Sequence, residues 1–301
     1  MPPCRRASAA EPVAATVPPV SELLARLGLN GTARAVIVCA DELGFSLAAN
    51  EAIYAALRRG SATSASLIVA APWARGAAAD YRGEDVGVQL ALNAEHDLYR
   101  WGPLTHAPSL LDGDGGFPRT VEDVWEHADL EEVRREWRAQ LERAIYWGFD
   151  VSHLAVHHAE VTLKPEFFDA YLDLADELAL PIRLPSAEVE AKAGFPFRSL
   201  AAQAAVLCPA RVVELGAARS TDELVELLAG LSEGLSELVL RPVLDGPELR
   251  RAAPKRWAER SGHAAALARG GALASALEAS GTARVSYRQL RAAMRAARAG
   301  G

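Results

Sequence analysis

The chain has 301 residues, half of them hydrophobic and 24% charged, a composition that supports one large buried core. Its 39 acidic residues outnumber 32 Lys and Arg, giving a formal net charge of -7 and excluding the basic footprint of a nucleic-acid binder. The three cysteines, Cys4, Cys39 and Cys208, are too scattered for a disulfide framework, and no apolar run approaches the ~18 residues of a membrane span, so a cytoplasmic protein is expected.

The first twenty residues are rich in Ala and Pro, carry no apolar stretch of signal-peptide length, and read as a disordered tail over 1–20. From Ala35 onward, β-rich runs alternate with longer segments of helical period, the pattern of parallel strands wrapped by outer helices. The runs are Ala35 to Ala40, Ser64 to Ala70, Val86 to Leu92, His153 to Val156, Ile182 to Leu184, Arg211 to Leu215, Glu237 to Leu240 and Ala283 to Ser286. No linker or composition break divides 21–301, which is read as a single α/β barrel-like domain.

Helix punctuation lies between the runs. Ser46 and Gly60 bracket a helix as N-cap and C-terminal stop. Asp129 with Glu132 forms a capping-box pattern ahead of Leu130, Val133, Trp137, Leu141 and Ile145 on one face, with the Glu and Arg residues read as the solvated side. Pro165 opens the next helix, with Phe168, Leu172 and Ala175 on its buried side, and Ser220 with Glu223 opens another. The longest irregular segment, 93–128, follows a strand, so it is a candidate lid or substrate wall.

Four strand-end segments carry chemistry: Asp41-Glu42-Leu43-Gly44, Gly87-Val88-Gln89-Leu90, Ser152 to His157, and Leu240-Arg241-Pro242. Adjacent acids after a strand point in different directions, so one can hold a cation while the other takes a proton from water; the plainer alternative is that one of them caps the next helix. His157 and His158, directly after an apolar strand, can coordinate a cation from the barrel rim. His106, His127 and His263 read as structural or exposed, and His96, between Glu95 and Asp97, is open to either reading.

These segments, with Ala62 to Leu67, Pro108 to Leu111 and Leu180 to Pro185, resemble in order and spacing the YdjC/ChbG-type carbohydrate deacetylases, relatives of the NodB-type polysaccharide deacetylases. The resemblance runs from about Ser21 to near the C-terminus. It implies a deformed (β/α) TIM-like barrel and a hydrolase of amide C–N bonds, in which a divalent cation, zinc or magnesium, activates water against the N-acetyl group of an amino sugar. Asp41 then corresponds to the general base, Glu42, Gln89 and His157 to the metal positions, and Arg241 to the position that faces the leaving amine. Arg183, at another strand end, is a candidate contact for sugar hydroxyls or carboxylate.

The chain departs from the family pattern at four of these places. Glu42 stands for Asp, Gln89 for a ligand His, Ala155 for an Asp two residues before His157, and Arg241 for a His. An amide oxygen is a weaker zinc ligand than imidazole, and arginine stays charged, so it can stabilise an oxyanion but not donate a proton. Two readings follow: a rebuilt hydrolytic site, or a catalytically inactive carbohydrate- or metabolite-binding relative. The expected partner is a small-molecule carbohydrate, with neither nucleic acid nor membrane, and homo-oligomerisation is left open.

Overall fold

A computed structural model describes residues 20–29, 34–217 and 220–299. The tail expected over 1–20 lies outside the described residues except for Val20, which opens the helix Val20–Arg26. Among the described residues no helix is long and apolar enough to cross a membrane.

Seven strands form one sheet: β1 (Arg34–Leu43), β2 (Ser64–Leu67), β3 (Val86–Leu90), β4 (Val151–Val156), β5 (Arg211–Glu214), β6 (Gly234–Leu240) and β7 (Ala283–Arg284). Their order is β4-β3-β2-β1-β6-β5, β7 pairs with the start of β1, and every pairing is parallel. Beyond β4, Ile182 makes an isolated parallel bridge to Leu154, and its N–H donates to the Leu207 carbonyl shortly before β5. The sheet therefore curls into a half-barrel with surrounding helices. The Ile182 to Leu184 run was expected to be a strand and forms only that bridge, because Pro181 and Pro185 flank it and cannot donate ladder hydrogen bonds.

The alternation of side chains along β1 separates two layers. Val36, Val38 and Ala40 pack outward among the helices in the main core. Ala35, Ile37 and Cys39 point into the barrel, where Leu235, Val285, Tyr287, Leu290 and Leu24 close its lower end. Polar groups occupy the interior above this plug, and they define the site described below.

Most helix ends follow the sequence. Ser46 accepts from Ala49 N, Gly60 closes that helix, and Ser220 with Glu223 makes a full capping box. Asp129 caps the helix Leu130–Tyr146 by accepting from Glu131 N and Glu132 N, but Glu132 does not reach back. Its carboxylate instead accepts from Ser109 N and Oγ. Two further residues of this helix, expected on its solvated side or given no role, are fully buried: Glu136 accepts from Leu104 N, Thr105 N and Thr105 Oγ, and Gln140 bonds Ala91 N and O. Ile145, expected in the core, is 49% exposed. Segment 93–128 is thus tied to this helix by side-chain acceptors, which supply the hydrogen bonds a non-repetitive backbone needs when covered.

Gly87 is required by a close approach. A Cβ there would fall 2.3 Å from His153 Nδ1 and 2.5 Å from the His153 carbonyl, at an irregularity in the β3–β4 register. Gly87→Ala is expected to cost about 1–3 kcal/mol by overpacking, read as a lowered Tm; an unchanged Tm would show that His153 has room to move.

Candidate functional site

Asp41 and Glu42 end β1 around a register break, where Glu42 has φ 69°. A bulge with a non-glycine residue in the left-handed region re-aims the side chain it carries. The neighbouring acids consequently face different partners. The N–H that the break frees on Glu42 donates to Gln89 Oε1 at 3.3 Å.

Asp41 points into the barrel and is 1% exposed. Arg183 donates to both its oxygens, Nη1 to Oδ2 at 2.6 Å and Nη2 to Oδ1 at 2.9 Å. On its other edge the same guanidinium donates to Glu237, whose Oε2 also accepts from Tyr287 at 2.7 Å. Burial disfavours the charge on Arg183, but Asp41 and Glu237 reverse that and hold its pKa well above the usual value. The substrate contact expected of Arg183 is thereby taken up by two carboxylates. His153 lies beneath, stacked on Tyr287 at 3.7 Å, with hydrogen bonds to Ser66 and Ser152. Burial first, and then Arg183, push His153 far down, so it is neutral.

Glu42 faces the rim. Arg241 Nε lies 3.1 Å from its Oε1 and Arg260 Nη1 lies 2.7 Å from its Oε2. Burial pushes this carboxyl up, but Arg260 and Arg241 outweigh it and bring it down from the ordinary 4.5 to about 2. Arg241 also forks onto Glu214, at 3.0 and 3.1 Å. Behind it His263 accepts from Arg241 N at Nδ1 and so donates from Nε2 to the Gly216 carbonyl, a structural histidine as expected.

A carboxyl lowered on folding contributes stability above its unfolded pKa, and that contribution disappears as pH falls through the folded value. For Glu42 the window runs from about pH 4.5 down to about 2, with a linkage of about 3 kcal/mol. A Tm series against pH should therefore fall more steeply there for the parent than for Glu42→Gln, and parallel curves would mean that the ion pair contributes nothing.

A second group of donors stands beside Glu42. His157 follows β4, and its Nε2 lies 2.9 Å from Glu95 Oε2. His158 Nε2 is 3.7 Å and His96 Nε2 3.2 Å from Glu95 Oε1. Ligand atoms of Glu95, His157 and His158 all lie within 4.8 Å of one another. Burial raises Glu95, yet His157 and His158 drive it far below the carboxylate range, and Glu95 in turn outweighs burial to raise His158. Aromatic rings wall the group: Trp101 meets His157 edge-on at 5.6 Å and Phe45 meets His96 at 5.0 Å.

Of the residues expected to hold a metal, His157 falls within this converging group. Glu42 is engaged by two guanidiniums, and Gln89 accepts from Glu42 N while its Nε2 sits 3.5 Å from Asp41 Oδ2. Two of the substituted positions are register partners, Gln89 opposite Ala155. Sequence reasoning passed over Glu95, Glu237 and Arg260. The signals were a charged triplet a few residues beyond a strand, Glu95-His96-Asp97, and a lone acid inside the apolar run of β6. Arg260 had none, since one arginine on an amphipathic helix looks like solvated surface.

The fold and rim define an α/β half-barrel protein with a polar centre at the C-terminal ends of its strands, the face where such folds carry binding and chemistry. The chain belongs to the YdjC-like protein family, whose model matches residues 35–278. A carbohydrate deacetylase of Thermus thermophilus is 40% identical over 164 residues, 54% of this chain and 58% of that protein. A carbohydrate deacetylase of Brevibacillus brevis is 36% identical over 153 residues, 50% of this chain and 59% of that protein. The matched part thus spans 58% and 59% of the length of these curated relatives. A crystal structure of an Enterococcus faecalis protein named for cellobiose-phosphate cleavage superposes with a TM-score of 0.72, covering 86% of this chain and 99% of that one; its 24% identity supports the fold.

Proposed function

We propose that this chain is a carbohydrate deacetylase that hydrolyses the N-acetyl amide of an amino sugar or short oligosaccharide, releasing acetate and a free amine. The observation that carries this is Asp41, set at the C-terminal end of β1 and fixed by both arms of Arg183, in a family whose curated relatives are named carbohydrate deacetylases.

In this reading Asp41 takes a proton from water as the water oxygen adds to the acetyl carbonyl, and Arg183 holds that carboxylate in one orientation. The C–N bond then breaks as the proton held on Asp41 passes to the departing nitrogen, which leaves as the free amine while the acyl part leaves as acetate. Arg241 keeps its charge and acts on the developing oxyanion, not as an acid. A divalent ion such as zinc or magnesium supplies Lewis acidity when bound, and the donor set that fits it is Glu95 with His157 and His158, since Glu42 and Gln89 are already engaged. The substrate is a small-molecule carbohydrate and the compartment the cytoplasm. The test is acetate release from N-acetylglucosamine and its β-linked oligomers with zinc, cobalt or magnesium added; none with any of the three would end this reading.

The clamp of Arg241 and Arg260 on Glu42, together with Ala155 beside Gln89, favours a second reading, sugar binding without turnover. It predicts ligand-induced thermal stabilisation with no acetate. Making Glu42→Asp, Gln89→His, Ala155→Asp and Arg241→His together would separate the two: activity appearing only in this variant marks a decayed site, activity in the parent a rebuilt one.

A further inference from the structure

We propose that Glu95, His157 and His158 hold one divalent cation of the zinc class, displaced along the rim from the positions of Glu42, Gln89 and His157. The deacetylase reading gives this ion its purpose, but its binding does not depend on turnover.

The partners of the acids argue for it. Asp41 and Glu237 share Arg183, and Glu42 and Glu214 share Arg241, with Arg260 added on Glu42. Among the described residues Glu95 pairs with His96, His157 and His158 and with no guanidinium. A carboxylate ringed by imidazoles is a donor set for a metal, because neutral imidazole coordinates where a guanidinium can only repel a cation.

The atoms agree with the charges. One oxygen and two nitrogens from the three residues converge within 4.8 Å. His157, whose side chain is 2% exposed, has a buried Nδ1 without a hydrogen-bond partner. Buried imidazole nitrogens left unpaired are costly unless something not made of protein completes them. Two imidazoles and one carboxylate suit zinc and its first-row neighbours better than magnesium, which prefers oxygen donors and retained waters.

The positions implied by sequence resemblance lack this freedom. A cation there would have to compete with Arg241 and Arg260 for Glu42, and with the Glu42 N–H for the Gln89 carbonyl oxygen. The Glu42 carboxylate lies within reach of both arginines, whereas Glu95 supplies an acid beside His157 and His158.

The test uses the full chain, stripped with a chelator and titrated with zinc. One equivalent should bind and raise Tm. X-ray absorption at the zinc edge should show two imidazoles, whereas the Glu42, Gln89, His157 set would show one. Glu95→Gln and His158→Asn should each weaken zinc binding by more than about 100-fold, beyond the usual loss for an outer-shell partner, while Gln89→Ala leaves it essentially unchanged. His158, with a side chain 37% exposed, is the substitution least demanding on folding. A one-imidazole spectrum, loss of binding in Gln89→Ala with retention in His158→Asn, or no stoichiometric zinc would each overturn the proposal. Stoichiometric zinc with two imidazoles but no acetate release would end the deacetylase reading and leave this one standing; acetate release by a chain that binds no zinc would do the reverse.

Discussion

Asp41→Asn is expected to lower acetate release by about 10²–10⁴-fold, the range for losing a positioned general base. The variant keeps the size of the side chain but removes its ability to take a proton, and it presents an amide to a guanidinium that both oxygens now satisfy. Arg183 retains Glu237 on its other edge, so one charge partner persists and the chain should still fold. The informative measurement is kcat together with KM and a melting curve: a fall confined to kcat fits a proton-transfer role. An equal rate in Asp41→Asn would remove Asp41 from the chemistry, and unchanged sugar-induced stabilisation with no turnover in the parent would favour binding without catalysis.

Arg183→Met carries the largest expected effect on stability. Arg183 is 7% exposed and lies between two buried carboxylates. A buried ion network adds little net stability when complete, but removing its centre leaves uncompensated charge and costs about 3–5 kcal/mol. A fall in Tm on the order of 10 °C should follow for a chain of this size. Arg183→Lys should recover only part of it, because one ammonium cannot fork onto Asp41 and Glu237 at once. Adding Asp41→Asn to Arg183→Met should recover part of the loss by removing one orphaned charge, a non-additivity that a double-mutant cycle reads directly. Additive losses would show that the two side chains are not coupled.

Strand positions in the sheet were legible because alternation and β-branched runs survive in any context, and seven of the eight expected runs contain a strand. Ends were not: the β2 run stops at Leu67, and β7 has two residues, since pairing partners decide length. Caps were legible where one residue decides them, as at Ser46 and Ser220. Glu132 was misread because Ser109, distant in sequence, competes for its carboxylate. The same logic divides the site. Asp41, Glu42 and His157 announce themselves by sitting after strands, whereas Arg260 reaches Glu42 from a helix far along the chain. The bulge that turns Glu42 toward the arginines leaves no mark in the residue pattern, because it depends on how β1 registers with β2.

Glu132 and Glu136 hold segment 93–128 at Leu104, Thr105 and Ser109, and that segment brings Glu95, His96 and Trp101 to the rim. A wall tied in this way is ordered before any ligand arrives, so little of a sugar's binding free energy goes into arranging it. Entry should then be governed by diffusion and orientation, without a slow closing phase. The helix Leu130–Tyr146 thereby fixes, through Glu132 and Glu136, the segment that carries Glu95, His96 and Trp101.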